Sequence, residues 1–429
     1  MIRKFLGNKN IKNAGWLIIG KIVQMIINFF VGILTARYLG PGNYGIISYA
    51  GAYAAFFYSI CTLGINSVIV KEFIDMPSQE GKILGTSLIL RAISSIFSAI
   101  IIVIISFVLD KNESTTKLVV TLYSLSLFFQ IFELFNYWFQ SKLQAKFIAI
   151  ASLVAYSVVA IYKVILLLLN KSVTLFALST SIDYIVLGVL LFYFYKKENG
   201  SKLSFSYNYA KSILKKSYHF ILPGLMVAIY GQTDKMMLKH MGNDTEVGYY
   251  AIAASLCSVW CFILSAIIDS LNPSIMKAYQ DNENDFIKYN KILYFIIFYI
   301  CIFVSLFFTI FAKLIIEILY GEAYMPTVSP LRIITWYTAF SYLGVARNTW
   351  IVCKDKQNYL KYLYVLSGVL NIILNIVFIP KYGALGAAIA SLISQISTII
   401  VFPLFIKELS ENSLMIFEAI LFKGIKLKK

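Results

Sequence analysis

The sequence predicts an all-α polytopic membrane protein of about twelve transmembrane helices. Three observations predict it. Apolar residues fill 59% of the 429 positions and charged residues only 14%, with a mean hydropathy of +0.76, whereas about a quarter of a soluble domain is charged. Apolar stretches of about 20 residues, each enough to cross the hydrocarbon core, recur along the whole chain. Lysine and arginine concentrate in alternate connecting segments, the asymmetry that orients membrane helices.

The first half holds stretches at 14–36, 44–66, 83–109, 118–139, 147–169 and 173–195. The first is too long for a signal-peptide core and no small-residue cleavage site follows, so it is expected to remain as a span. The third is long enough to cross at a tilt. A Lys-rich segment, KKENGSKLSFSYNYAKSILKKS, precedes six more stretches at 218–239, 247–271, 292–312, 326–353, 360–379 and 383–406. The rest of the chain has an apolar run too short to cross and ends in lysines, which reads as an interfacial helix or a loose basic tail. The expected organisation is an N-terminal six-helix lobe (1–195), a cytoplasmic basic linker (196–217), a C-terminal six-helix lobe (218–406) and a cytoplasmic basic tail (407–429).

The formal net charge is +17. With both termini in the cytoplasm, about 25 basic residues fall in inner segments, from Arg3 and Lys4 to Lys423, Lys426, Lys428 and Lys429, against about seven outside. Topology thus accounts for most of the basicity, and nucleic acid is not the expected partner; anionic membrane lipids take a minor share. Cys61, Cys257, Cys261, Cys301 and Cys353 lie in or at the edges of spans and read as packing residues. His219 and His240 have no neighbours at metal-ligand spacing, and no GxxxxGK[ST] phosphate loop occurs. No metal, cofactor or catalytic residue is expected, and the chain does not read as an enzyme.

The two halves repeat each other weakly. ARYLGPGNYGIISYA follows the first span and LKHMGNDTEVGYYAIA the seventh, aligning Gly40 with Gly242 and Gly45 with Gly248. Asn66, Lys71 and Phe73 match Asn272, Lys277 and Tyr279 at one offset, and LNKSVTLFALSTS resembles IPKYGALGAAIAS. Six spans per half is an even number, so both halves enter from one side and are related by an axis along the membrane normal.

Gly-Pro-Gly-Asn-Tyr-Gly after the first span, LGINSVIVKEF after the second and TDKMMLKHMG with VGYY around the seventh resemble the Wzx-type polysaccharide flippases of the multidrug, oligosaccharidyl-lipid and polysaccharide exporter superfamily. The resemblance runs over essentially the full length, and its motifs are degenerate. It implies two helical lobes forming a V around a central cationic cavity in the inner membrane of a bacterium. It also implies export of an undecaprenyl-pyrophosphate-linked oligosaccharide for O-antigen or capsule by alternating access, driven by an ion gradient (an antiporter) or by the membrane potential. A glycan polymerase and ligase would act downstream.

The intramembrane charges carry the argument about a site. They are Lys21, Arg91, Glu133, Lys163, Asp183, Asp234, Lys235, Asp269, Arg332 and Arg347, each costing about 2.5–3.5 kcal/mol at a span centre. Six are basic and four acidic, which favours an anionic cargo. Lys21, Gln24, Asn28, Gly32 and Thr35 make one polar stripe at helical spacing; Gln130, Glu133, Tyr137 and Gln140 make a second, and Ser367, Asn371 and Asn375 a third. Such stripes suit a wet passage, and equally suit hydrogen bonding between helices. Lys21, Gln24, Asn28, Arg91, Lys235 and Arg347 are the expected substrate contacts, with the arginine forks suited to phosphate oxygens. Pairing of Arg91 or Arg347 with Glu133 or Asp269 is the alternative. Glu133, Asp183, Asp234 and Asp269 are candidates for coupling or gating, and Pro223 with Gly224 for a hinge in the seventh span. Lys163 and Arg332 lie nearer the outer surface, where snorkelling accounts for them; a ring around an outer cavity is the alternative.

Three other classes compete, and the buried charges argue against one of them, a purely structural scaffold. A drug extruder of the same superfamily would carry an acidic or apolar cavity. A membrane polymerase needs catalytic residues on a large outer loop, and the longest outer connection, KLIIEILYGEAYMP, is short.

Overall fold

A computed structural model describes residues 9–422. The basic residues Arg3, Lys4, Lys423, Lys426, Lys428 and Lys429, assigned above to the cytoplasm, lie outside the described residues. Among the described residues the chain is helical with no strand, and it divides into two compact units. One takes in the described residues up to Leu39 together with Ile46–Gln232; the other takes in Gly40–Gly45 together with the described residues from Thr233 onward.

The first unit contains most of α1 (Lys9–Cys61), then α2 (Ile69–Asp75), α3 (Glu80–Leu109), α4 (Ser114–Phe129), a 3₁₀ turn (Gln130–Glu133) and α5 (Leu134–Ser141). It continues with α6 (Ala145–Leu168), α7 (Val173–Ala177), α8 (Ser179–Lys197), α9 (Tyr207–Ser217) and the start of α10 (Ile221–Met241). The pattern on α3 shows the solvent for which these helices are built. Arg91, Ser95, Ser98, Ile102 and Ser106 form its buried face, while Ile93, Phe97, Ile100, Ile104 and Phe107 are exposed. Small polar groups inside and large apolar ones outside would be inverted in water; in hydrocarbon the small residues let helices approach and the aliphatic face meets lipid. The protein is a multi-pass membrane protein.

The core of this unit joins Ile65, Phe73, Leu134, Phe135, Trp138 and Leu191, with the Trp138 and Tyr195 rings 4.8 Å apart. Two buried carboxylates tie its edge together. Glu80 accepts from Trp138 Nε1 at 2.8 Å and pairs with Lys142. Glu72 accepts from Lys216 at 2.7 Å and from the Tyr209 hydroxyl at 3.2 Å. The Lys-rich linker is therefore partly ordered: α9, capped by the Ser206 side chain, is held to the unit through Glu72.

The second unit contains the end of α10, then α11 (Asp244–Ser258), α12 (Cys261–Asp281), α13 (Glu283–Tyr320), α14 (Val328–Cys353) and α15 (Leu360–Ile396). A π-turn (Ser397–Val401), α16 (Phe402–Leu404) and α17 (Lys407–Ile420) complete it. Helices α13, α14 and α15 pack in sequence around Leu264, Tyr294, Cys301, Leu343, Trp350 and Leu363. The segment at 407–420 forms a helix, and it docks. Leu409, Met415, Ile416 and Ala419 enter the core, and buried Asn412 donates to the Tyr294 hydroxyl at 2.7 Å.

Among the described residues, seven helical stretches are long and apolar enough to cross a membrane, or eight if α11 and α12, bent by 41°, make one span. Two of the seven, Gly20–Cys61 and Gln357–Leu404, are 42 and 48 residues long, twice the roughly 20 that one crossing requires. Each contains two of the expected spans and is broken at a glycine, Gly40 (φ 69°) and Gly383 (φ 55°). Helices α10 and α14 coincide with expected spans but fall outside the seven. Asp234, Lys235 and Lys239 in α10, and Arg332 and Arg347 in α14, add charge where the other spans have little. The count of twelve is not reached by this measure.

Candidate functional site

Among the described residues, each unit holds a buried polar cluster that joins intramembrane charges to uncharged side chains which a lipid-facing helix would exclude. In the first unit, α4 tightens into the 3₁₀ turn Gln130–Glu133 before α5 begins. Residues three apart eclipse in such a turn, so Gln130 and Glu133 project together. Arg91, fully buried on α3, reaches Glu133 at 3.8 Å and donates to Asn66 Oδ1 at 3.4 Å. Asn66 donates to the Tyr58 hydroxyl at 3.2 Å, and that hydroxyl donates to Glu133 at 2.9 Å. The ring Arg91–Asn66–Tyr58–Glu133 closes a charge-neutral loop across four segments. Arg91 Nε has no hydrogen-bond partner, so part of the guanidinium fork is uncommitted.

In the second unit the cluster centres on Asp234, buried on α10. Its Oδ1 accepts from Asn375 at 2.7 Å and Asn371 at 3.2 Å, and its Oδ2 accepts from Tyr250 at 2.5 Å and from Ser391. Four donors saturate the lone pairs of one carboxylate. They converge because of a backbone break. Gly383, with Pro380 just before it, interrupts α15, so residues before the break (Asn371, Asn375) and after it (Ser391) reach the same group. The break itself is capped: the Ala384 N–H donates to Glu246 at 2.6 Å, and a side chain at Gly383 would collide with that carboxylate.

The glycines aligned between the two halves have a packing role here. A Cβ on Gly45 would meet the Asp244 carbonyl, and one on Gly248 the Pro41 carbonyl. Segment Gly40–Gly45 can lie against the start of α11 only because both positions lack a side chain.

Other expected site residues are placed singly. Arg347, fully buried on α14, donates to the Thr398 carbonyl at 3.2 Å and lies beside Tyr294 and Tyr364. Thr398 belongs to the π-turn, whose wider winding makes a carbonyl available. Asp269 is exposed on α12 and does not partner Arg347. Lys235 adjoins Asp234, and Asp183 lies within electrostatic range of Lys163 with its Oδ1 unbonded. On α1, Lys21 and Asn28 are exposed and Gln24 is half-buried. Arg332 donates to the Thr309 carbonyl at 3.0 Å from an exposed position. Pro223 and Gly224 occupy the first turn of α10, where a missing N–H is no loss, and the Gly224 carbonyl accepts from Ser59 at 2.9 Å.

Of the expected residues, the structure brings Arg91 to Glu133, and Asn371 and Asn375 to Asp234. Tyr58, Tyr250, Ser391 and Glu246 were not singled out from sequence. Tyr250 lies in the VGYY motif, the one signal that pointed toward it; a single serine or tyrosine on an apolar helix otherwise carries no mark of its partner.

Comparison with known proteins bears on the chain as a whole. The model of a family described as polysaccharide biosynthesis protein matches residues 11–279. The capsular polysaccharide biosynthesis protein CapF of Staphylococcus aureus is 23% identical over 412 residues, covering 93% of this chain and 100% of the relative. Among solved structures, the lipid II flippase MurJ in an inward closed conformation superposes with a TM-score of 0.68 at 16% identity, covering 94% of this chain and 91% of that one. An inward-facing multidrug resistance MATE family transporter of the MOP superfamily gives 0.64 at 16% identity, over 91% and 95%. These superpositions show that the chain shares the fold of these transporters.

Proposed function

Because this chain belongs to the polysaccharide biosynthesis protein family, we propose that it is a transporter that moves a lipid-linked saccharide from the inner to the outer face of the bacterial cytoplasmic membrane. The cargo on this reading is an undecaprenyl-pyrophosphate-linked oligosaccharide for a capsule-like polysaccharide. Both termini lie in the cytoplasm, a downstream polymerase or ligase consumes the product, and the protein itself catalyses no bond change. Twelve crossings and alternating access of the two helical units complete the proposal.

The observation that carries it is the pair of buried ionisable clusters, Arg91–Glu133 in one unit and Asp234 with its four donors in the other. Membrane helices keep such groups where charge must be handled inside the bilayer. Arg91 keeps donor capacity for an anionic headgroup. Two of the four donors to Asp234, the Tyr250 and Ser391 hydroxyls, can turn to accept, which frees carboxylate lone pairs and adds neutral oxygens for a proton or a small monovalent cation as the coupling ion. The energetics favour export: a pyrophosphate diester with about two negative charges gains about 4.6 kcal/mol on leaving across 100 mV, interior negative.

The test is reconstitution into liposomes with a fluorescent undecaprenyl-pyrophosphate-linked oligosaccharide, read by accessibility to an added quencher. Translocation that requires the protein and responds to an imposed proton or sodium gradient is expected. Liposomes that move a cationic dye but not the lipid-linked saccharide would point to drug extrusion and overturn the proposal.

A further inference from the structure

A cavity of about 260 Å³ lies wholly within the first unit, beside the Arg91–Glu133 ring. Gly51 and Tyr58 line it from α1, Tyr123 from α4, Gln130 from the 3₁₀ turn, and Thr180 and Tyr184 from α8. No charged side chain lines it. A phosphate would be met by arginine or lysine, a cation by carboxylates and a lipid tail by branched aliphatics; none of these lines the walls.

Three phenol rings, an amide and the hydroxyls of Ser126 and Thr180 suit a different occupant. A pyranose ring has a C–H face that packs on aromatic rings, and a rim of hydroxyls that both donate and accept. Tyrosine and threonine hydroxyls and a glutamine amide are likewise both donors and acceptors. Size points the same way: at about 30 Å³ per water, the cavity has room for roughly nine waters, the scale of a single sugar ring and below the usual range for drug-sized ligands.

We propose that this cavity is a subsite for one neutral pyranose residue of the cargo, an inference that rests on the saccharide-transport reading above. Tyr184 already accepts from Gln130 Nε2 at 2.6 Å, and its own hydrogen is available to a sugar oxygen. Tyr58 forms one wall and also donates to Glu133 at 2.9 Å. A sugar that draws on the Tyr58 hydroxyl therefore acts on the ion pair through a single hydrogen bond. This connects occupancy of the cavity to the charge state around Arg91 without any contact between sugar and guanidinium. Gly51 keeps the space open: a Cβ there would stand 3.3 Å from the Tyr123 hydroxyl, and a larger side chain would occupy the cavity.

The test uses purified protein in lipid nanodiscs and saturation-transfer NMR with methyl glucopyranoside, methyl galactopyranoside and methyl N-acetylglucosaminide, with glucitol as an open-chain control. Saturation of ring protons in at least one pyranoside, and none in glucitol, is expected. Gly51→Leu should abolish the signal. Tyr184→Phe, which keeps the ring and is the safer variant for folding, should weaken binding by about fivefold, the value of one hydrogen bond. Wild-type protein that translocates lipid-linked saccharide but shows no pyranoside signal above glucitol overturns the subsite and leaves the transport reading standing. So does a signal unchanged in both variants, each shown to be folded by its thermal transition. Wild-type protein that binds pyranosides but moves no lipid-linked saccharide overturns the assignment to cargo by removing its premise.

Discussion

Replacement of Asp234 separates structure from coupling, because its four donors differ in what they can do. Tyr250 and Ser391 are hydroxyls, which can rotate to accept instead of donate; Asn371 and Asn375 present N–H groups that cannot. In Asp234→Asn one side-chain oxygen remains for the two asparagines, and the new amide can donate to the two hydroxyls. What is lost is the charge assistance on the asparagine contacts at 2.7 and 3.2 Å, about 1 kcal/mol for each contact. Asp234→Ala leaves one N–H of each asparagine without an acceptor at a buried site, at about 1–3 kcal/mol each, or about 2–6 kcal/mol together. Their second N–H groups keep partners, since Asn371 also reaches Ser391 and Asn375 also reaches Asn371. Equilibrium unfolding in mixed micelles should therefore rank wild type above Asp234→Asn, and Asp234→Ala last. Ion-driven translocation in liposomes should be lost in both variants. An alanine variant as stable as the asparagine variant would refute the hydrogen-bond reasoning. Asp234→Asn that still responds to a proton or sodium gradient would refute the coupling role.

The remaining predictions concern the first cluster and the two glycine-dependent contacts. Glu133→Gln should destabilise by about 2 kcal/mol, less than the 3–5 of a fully buried pair, because Glu133 keeps 20% side-chain exposure. In a double-mutant cycle with Arg91→Gln the two losses should fall short of adding; strict additivity would show that the 3.8 Å pair carries no coupling. Gly45→Ala and Gly248→Ala should each cost about 1–3 kcal/mol by forcing backbones apart. Gly368→Ala, with nothing within 4 Å of its Cβ, should be neutral or stabilise by up to about 1 kcal/mol; the same sign at all three positions would refute the close-approach argument. Glu246→Ala should speed amide exchange at Ala384 and lower stability by about 1–2 kcal/mol, while Glu246→Gln retains most of the cap. Equal exchange in the two variants would show that Glu246 does not hold the break.

Composition and stretch length alone assign this chain to the helical membrane proteins, since a solvent of hydrocarbon selects both before any contact forms. Ten charged positions inside the expected spans and the polar stripe Ser367, Asn371 and Asn375 are equally visible in the sequence. It left open whether that stripe faced water or neighbouring helices. Tertiary structure decided the matter: Asn371 and Asn375 bind Asp234, more than 130 positions away, and Ser367 accepts from Thr398 at 2.5 Å. The breaks at Gly40 and Gly383 were likewise invisible as breaks, because Gly-Pro-Gly and Pro-Lys-Tyr-Gly read as ordinary loop signals between spans. Only the folded chain shows the segments on either side of Gly383 brought to one carboxylate. Helical periodicity states which face a residue occupies and is silent on what that face meets. The partners of Arg91, Asp234 and Glu246 are set by packing between helices far apart in sequence, and no local pattern encodes that distance.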